Sequence, residues 1–267
     1  MSNTAEKKIE AKVAEEEEEG GAAEADICCA NCGIAAVDDI KLEDCTDCDL
    51  VKYCGDRCRE EHRDQHEEEC RKRKALLHDR KLFTQPDGTH RGECPLCFLP
   101  MPLDPRKYVF WSCCSSFICN GCVVANILSN IHDRVKAGRC PFCREPANDD
   151  ENEKRMMKRI KANDPVAMSQ MGISCHKEGD YDGAFNYATK AAELGNFHSH
   201  YLLGMMYWRG QFVEKDEEKA VYYYEKAAIG GHPQARYNLG CIEGRNGNTE
   251  RAVKHFIIAA NLGYDLS

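Results

Sequence analysis

Residues 29–70 read CANCGIAAVDDIKLEDCTDCDLVKYCGDRCREEHRDQHEEEC. Their cysteines and one of the histidines fall into four pairs: Cys29-x2-Cys32, Cys45-x2-Cys48, Cys54-x3-Cys58 and His66-x3-Cys70. The first two spacings suit tight turns whose backbone amides also donate to the sulfurs. The last two are i, i+4 pairs that share one face of a helix. Zn²⁺ takes four thiolate or imidazole ligands in a tetrahedron, so eight such residues match two ions. A closed set of four leaves no position for substrate water, and the expected role is structural. A module of about forty residues has too little apolar core to fold alone and draws its folding free energy from metal binding.

This pattern resembles the MYND zinc finger, including the aromatic Tyr53 directly before the fifth ligand. The resemblance implies that the pairs alternate: Cys29, Cys32, Cys54 and Cys58 on one Zn²⁺, and Cys45, Cys48, His66 and Cys70 on the other. It also implies binding to short, often proline-containing peptides of partner proteins. Cys28 adjoins the first pair, but only Cys29 has the x2 spacing to Cys32. His62, one turn before His66, is a competing ligand; the family spacing favours His66.

A second group follows: Cys94-x2-Cys97, the adjacent Cys113 and Cys114, Cys119-x2-Cys122, and Cys140-x2-Cys143. Its outline resembles a RING finger, which implies that Cys94, Cys97, Cys119 and Cys122 bind one ion. The other site departs from the family, because Ser116 stands where a histidine is usual. A neutral hydroxyl is a poor zinc ligand beside thiolates. The working expectation is that Cys113 and Cys114 both serve, with Cys140 and Cys143; the alternative is a site with three strong ligands or none. One or two ions are therefore expected here. The resemblance also implies docking of a ubiquitin-conjugating enzyme through Leu96, Pro141 and Arg144. The same residues have plain structural uses, since proline fixes φ in a turn and an arginine offsets thiolate charge.

From Asp164 onward the cysteine pairs stop. Gly172, Gly204 and Gly240 recur, then Ala184, Ala220 and Ala252, then Ala191–Ala192, Ala227–Ala228 and Ala259–Ala260, then Gly195, Gly231 and Gly263. Met171, Leu203 and Leu239 hold matching places. A period in the thirties with this pattern means stacked antiparallel helix pairs, an α-solenoid. Residues 164–267, with KAAELGNFHSHYLLGMMYWRG and KAAIGGHPQARYNLG, closely resemble about three Sel-like repeats, relatives of the tetratricopeptide repeat, which implies a concave face that binds protein segments. The lone Cys175 and Cys241 read as core residues. A solenoid needs a polar cap, yet the text stops at LGYDLS; the expectation is a truncated sequence or an end covered by a partner.

The fold class expected is multidomain: small zinc-stabilised α+β modules and an all-α solenoid. The boundaries are a disordered acidic tail (1–26), the MYND-type finger (27–72), a linker helix (73–90), the RING-like finger (91–148), a charged linker (149–163) and the repeats (164–267). Nine acidic residues against Lys7, Lys8 and Lys12 give the tail most of the net charge of −9. The remainder is near neutral, which speaks against nucleic-acid binding; Arg71, Lys72, Arg73 and Lys74 read as a solvated helix face. No apolar run serves as a signal peptide or membrane span. Eighteen cysteines in grouped pairs then point to a reducing, intracellular compartment, cytoplasmic or nuclear, and to metal rather than disulfides. No phosphate-cradling loop, nucleophile elbow or H-E-x-x-H pair is present. Two functions compete: a non-catalytic zinc-dependent adaptor for proteins or peptides, and a RING-type ubiquitin ligase bridging a conjugating enzyme and a substrate.

Overall fold

The computed structural model describes residues 28–36, 41–133, 136, 138–146 and 149–265, so the acidic tail lies outside the described residues. These fall into two compact units, one ending at Arg80 and the other beginning at Lys81.

In the first unit a two-stranded antiparallel ribbon, β1 (Glu43–Asp44) and β2 (Lys52–Tyr53), precedes helix α1 (Asp56–Phe83). Among the described residues of this unit the only large apolar side chain fully buried is Tyr53; the other buried ones are Cys29, Cys48 and His66. The basic run on α1 is neutralised locally: Arg71 and Lys72 meet Glu68, Arg73 meets Asp49, and Lys74 meets Asp47. Such exposed pairs contribute little each, but they leave no uncompensated basic stripe. α1 starts inside the finger and stops at Phe83, earlier than the linker helix expected over 73–90. Pro86 and Gly88 follow and cannot continue it.

In the second unit the hairpin β3 (Tyr108–Trp111) and β4 (Ser116–Cys119) pairs Tyr108 with Cys119 and Trp111 with Ser116. α2 (Asn120–Ser129) follows directly. The core here is small: Met101 and Ile118 among Cys94 and Cys140. α3 (Asp149–Lys161) occupies the charged stretch read as a linker, and it packs on this module. Ser112 donates to Asn152, Arg155 to the Pro146 carbonyl, and Arg159 to the Cys113 carbonyl.

Three helix pairs complete the unit: α4 (Pro165–Glu178) with α5 (Tyr181–Glu193), α6 (Phe197–Arg209) with α7 (Glu217–Ile229), and α8 (Pro233–Arg245) with α9 (Thr249–Asn261). The starts are capped by side chains: Asp164, Asp180, Asn196, Asp216 and His232 accept from backbone N–H groups two or three residues on. The recurring small residues are what let the helices meet. A Cβ on Gly204 would lie 2.7 Å from the Tyr224 ring, and one on Gly240 2.6 Å from the Phe256 ring. Ala184, Ala188, Ala220, Ala227, Ala228 and Ala259 are fully buried. Leu203 and Leu239 are buried, whereas Met171 at the matching place is only half-buried. Ala260 is exposed where Ala192 and Ala228 are buried, because no further described helix covers that side of α9. The last turn of α1 meets these helices: Leu82 is buried among Ala220, Tyr224 and Leu239, and the buried Arg236 guanidinium donates to its carbonyl.

Candidate metal centres

Each Cys-x2-Cys loop is built the same way. The first cysteine's N–H donates to a carbonyl further along (Cys29 to Ile34, Cys45 to Val51, Cys94 to Leu99, Cys140 to Glu145), at 2.7–2.9 Å. The residue after the second cysteine has positive φ in all four loops: Gly33 at 71°, Asp49 at 55°, Phe98 at 57° and Arg144 at 65°. Left-handed backbone costs a non-glycine residue about 1 kcal/mol. The turn recurs because it directs both sulfurs, and the amides between them, toward one point. The second half of each finger set comes from α1 and the bend before it: Cys58, His66 and Cys70 lie on the helix, the last two one turn apart, whereas Cys54 sits two residues before its start, so Cys54 and Cys58 are not the helical pair expected from their spacing.

Four sets result, and within each the ligand atoms all lie within 4.8 Å of one another: Cys29, Cys32, Cys54, Cys58; Cys45, Cys48, His66, Cys70; Cys94, Cys97, Cys119, Cys122; and Cys113, Cys114, Cys140, Cys143. The structure thus brings together every cysteine and the histidine singled out as ligands. Sulfurs about 2.3 Å from a tetrahedral Zn²⁺ are about 3.8 Å apart. The spacings are 3.6 Å for Cys32–Cys54 and Cys54–Cys58, and 3.8 Å for Cys45–Cys70, Cys94–Cys122, Cys97–Cys119 and Cys114–Cys140. Around Cys113 the tetrahedron is less even, with 4.0 Å to Cys114 and 3.3 Å to Cys143. His66 Nε2 is 3.1 Å from Cys48 Sγ. The donor sets fit zinc.

The electrostatics agree. Burial alone would raise the Cys29 thiol, but amides of Cys32, Cys54 and Asn31 overcome it and bring the pKa down to about 6. Cys94 behaves alike through the amides of Cys119, Leu96 and Cys97, which outweigh its burial and bring it to about 6. Their set-mates move the other way: hydrogen bonds with Cys58, Cys32 and Cys29 push Cys54 up to about 12, and burial followed by its neighbours pushes Cys70 to about 12. Thiolates this close repel one another, and a cation removes the conflict.

The remaining singled-out residues sort cleanly. His62 is held by the Tyr53 hydroxyl (3.1 Å to Nδ1) and stacks beside His66. Cys28 is exposed and pairs by backbone with Ala35. Ser116 donates to the Cys114 carbonyl. Leu96 and Arg144 are exposed, and Arg144 donates to Asn126 Oδ1 at 2.8 Å. Pro141 is buried. No helix among the described residues is long and apolar enough to cross a membrane.

A MYND finger model matches residues 29–70, and a Sel1 repeat model matches 165–196, 198–232 and 233–264. The chain carries a zinc-binding MYND finger and three Sel1 repeats. Among solved structures, a Sel1 repeat protein from Oxalobacter formigenes is similar at 27% identity over 43% of this chain and 92% of its own, with a TM-score of 0.39. A protective antigen of uropathogenic Escherichia coli with an SLR fold is similar at 30% identity over 42% of this chain, with a TM-score of 0.37. This chain spans about a quarter (26%) of that antigen.

One group escaped the sequence reading. His90, His198 and His232, far apart in sequence, bring ring nitrogens within 4.8 Å of one another. No spacing rule could have paired them.

Proposed function

We propose that the protein is a zinc-dependent adaptor whose MYND finger, second cysteine module and Sel1 repeats each recognise protein segments. The domains run over 27–72, 91–148 and 164–267. The MYND finger holds two ions through its two sets, and the second module, a RING-like finger, holds one on Cys94, Cys97, Cys119 and Cys122 and one on Cys113, Cys114, Cys140 and Cys143. The observation that carries the adaptor reading is that each set supplies four protein ligands, which fill a tetrahedron and leave no position for a substrate. Beside them the repeats offer a recognition surface. A cleft of about 370 Å³ is lined by Tyr201, Trp208, Arg209, Tyr224, Asn238 and Arg245, a mix of aromatic floor and polar handles suited to an extended peptide. Affinity capture with the whole protein tests this reading. Cys54→Ser should lose the finger's partners and retain those of the repeats; identical partner sets for wild type and Cys54→Ser would count against a recognition role for the finger.

One observation favours a ubiquitin ligase as a second reading. Leu96 (37% exposed), Phe98 (71%), Ile127 (45%) and Phe142 (49%) stand out from the two Cys-x2-Cys loops and α2. Exposed apolar side chains on one small module mark an interaction surface. Autoubiquitination with a panel of conjugating enzymes decides it: chains that vanish in Leu96→Ala and Arg144→Ala support the ligase, and no chains from any enzyme remove it.

A further inference from the structure

The three histidines outside the cysteine sets lie in one unit. His90 follows the segment that leaves α1, and its N–H donates to the Gly231 carbonyl at 3.0 Å. His198 sits in the first turn of α6, and His232 caps α8 by accepting the Ala235 N–H on Nδ1 at 3.4 Å. That bond leaves the His232 ring proton on Nε2, which points at His198 Nδ1 across 3.0 Å. His90 is different: both of its ring nitrogens are shielded from solvent and have no hydrogen-bond partner. A neutral imidazole carries one donor and one acceptor, so His90 leaves both unsatisfied in a place where such groups are normally paired.

We propose that His90, His198 and His232 form a binding site for a divalent transition ion of the zinc class. Imidazole nitrogens suit such ions, and three of them converge here with no cysteine among them. Two nitrogens on a tetrahedral Zn²⁺ lie about 3.3 Å apart, against the 3.0 Å of the His232–His198 hydrogen bond, so that pair opens only slightly. The ion takes the His232 Nε2 lone pair, the ring proton moves to Nδ1, and the long cap bond to Ala235 is given up. His198 already holds the tautomer needed to bind through Nδ1. His90 now stacks on His232 with ring centres 4.0 Å apart and planes at 22°. Lone pairs of stacked rings run parallel, so His90 must turn about its side chain to aim a nitrogen at the ion. In doing so it satisfies one of its two orphaned nitrogens. A cavity of about 120 Å³ lined in part by His90, His198, Gln170 and Asn196 adjoins the cluster and gives room for a small fourth ligand such as water. Arg91 is a charge of the wrong sign that acts on all three histidines, and its guanidinium lies over the Tyr108 ring, 4.6 Å from the centroid. Because the ligands come from the segment after α1 and from two repeats, the ion would fasten that segment to the solenoid.

Cobalt(II) titration of the metal-free whole chain tests the site without any variant. Thiolate ligands give intense charge-transfer absorption, so the cysteine sets report their own filling. The expected result is one further equivalent of cobalt taken up without added charge-transfer absorption. Uptake that ends when that absorption saturates would overturn the site and leave the histidines as a stack of neutral rings. His90→Phe, which keeps a stacking ring but removes its nitrogens, should hold one ion fewer than wild type; equal metal content in the two would also overturn it. Neither result depends on what the cysteine modules bind.

Discussion

The two Cys-x2-Cys loops of the MYND finger and the three Sel1 helix pairs solve the same problem by opposite means. Among its described residues the finger buries one large apolar side chain, Tyr53, and it gathers eight ligand residues at two points. The repeats close their core with alanines and with glycines that admit the rings of Tyr224 and Phe256. In the finger the free energy is concentrated in a few bonds to an ion; in the repeats it is spread over many small contacts. The first should fail all at once and the second by degrees.

Removing zinc should therefore have the largest effect. A strong chelator should unfold residues 29–70, a loss of about 10 kcal/mol or more, while most of the helical circular dichroism contributed by the repeats persists. Next is overpacking. Gly204→Leu, driven against Tyr224, should destabilise the repeats by about 1–3 kcal/mol in thermal melts with the zinc content unchanged. Asp216→Ala removes the acceptor for the Lys219 N–H and should cost about 1 kcal/mol. The smallest effect has the opposite sign: Phe98→Gly relieves a left-handed residue whose side chain is mostly exposed and should stabilise its loop by up to about 1 kcal/mol. A clear loss instead would mean that the Phe98 side chain packs on something essential.

The repeats were readable because their physics is periodic: Gly204 and Gly240 are needed for the same close approach, so they recur in register. The ligand pairs were readable because tetrahedral coordination constrains spacing. The loop conformation was not. Only Gly33 among the four left-handed positions is a glycine, so local preference is overridden by the turn, and Asp49, Phe98 and Arg144 carry no local mark. Arg144, singled out for a partner, is also the residue whose backbone completes a loop. The stretch 73–90 reads as a linker because its charged residues hide the few positions, Leu82 at the end of α1 and His90 beyond it, that anchor it. The histidine trio depends on three segments meeting, which no local pattern records.

Hydrogen exchange measured residue by residue, with and without chelator, tests most directly the claim that metal holds one region and apolar packing the other. The account predicts that chelation abolishes protection across the described parts of 29–70 while amides of α5 to α8 remain protected. Protection that survives chelation in the finger, or that collapses together in finger and repeats, would contradict it.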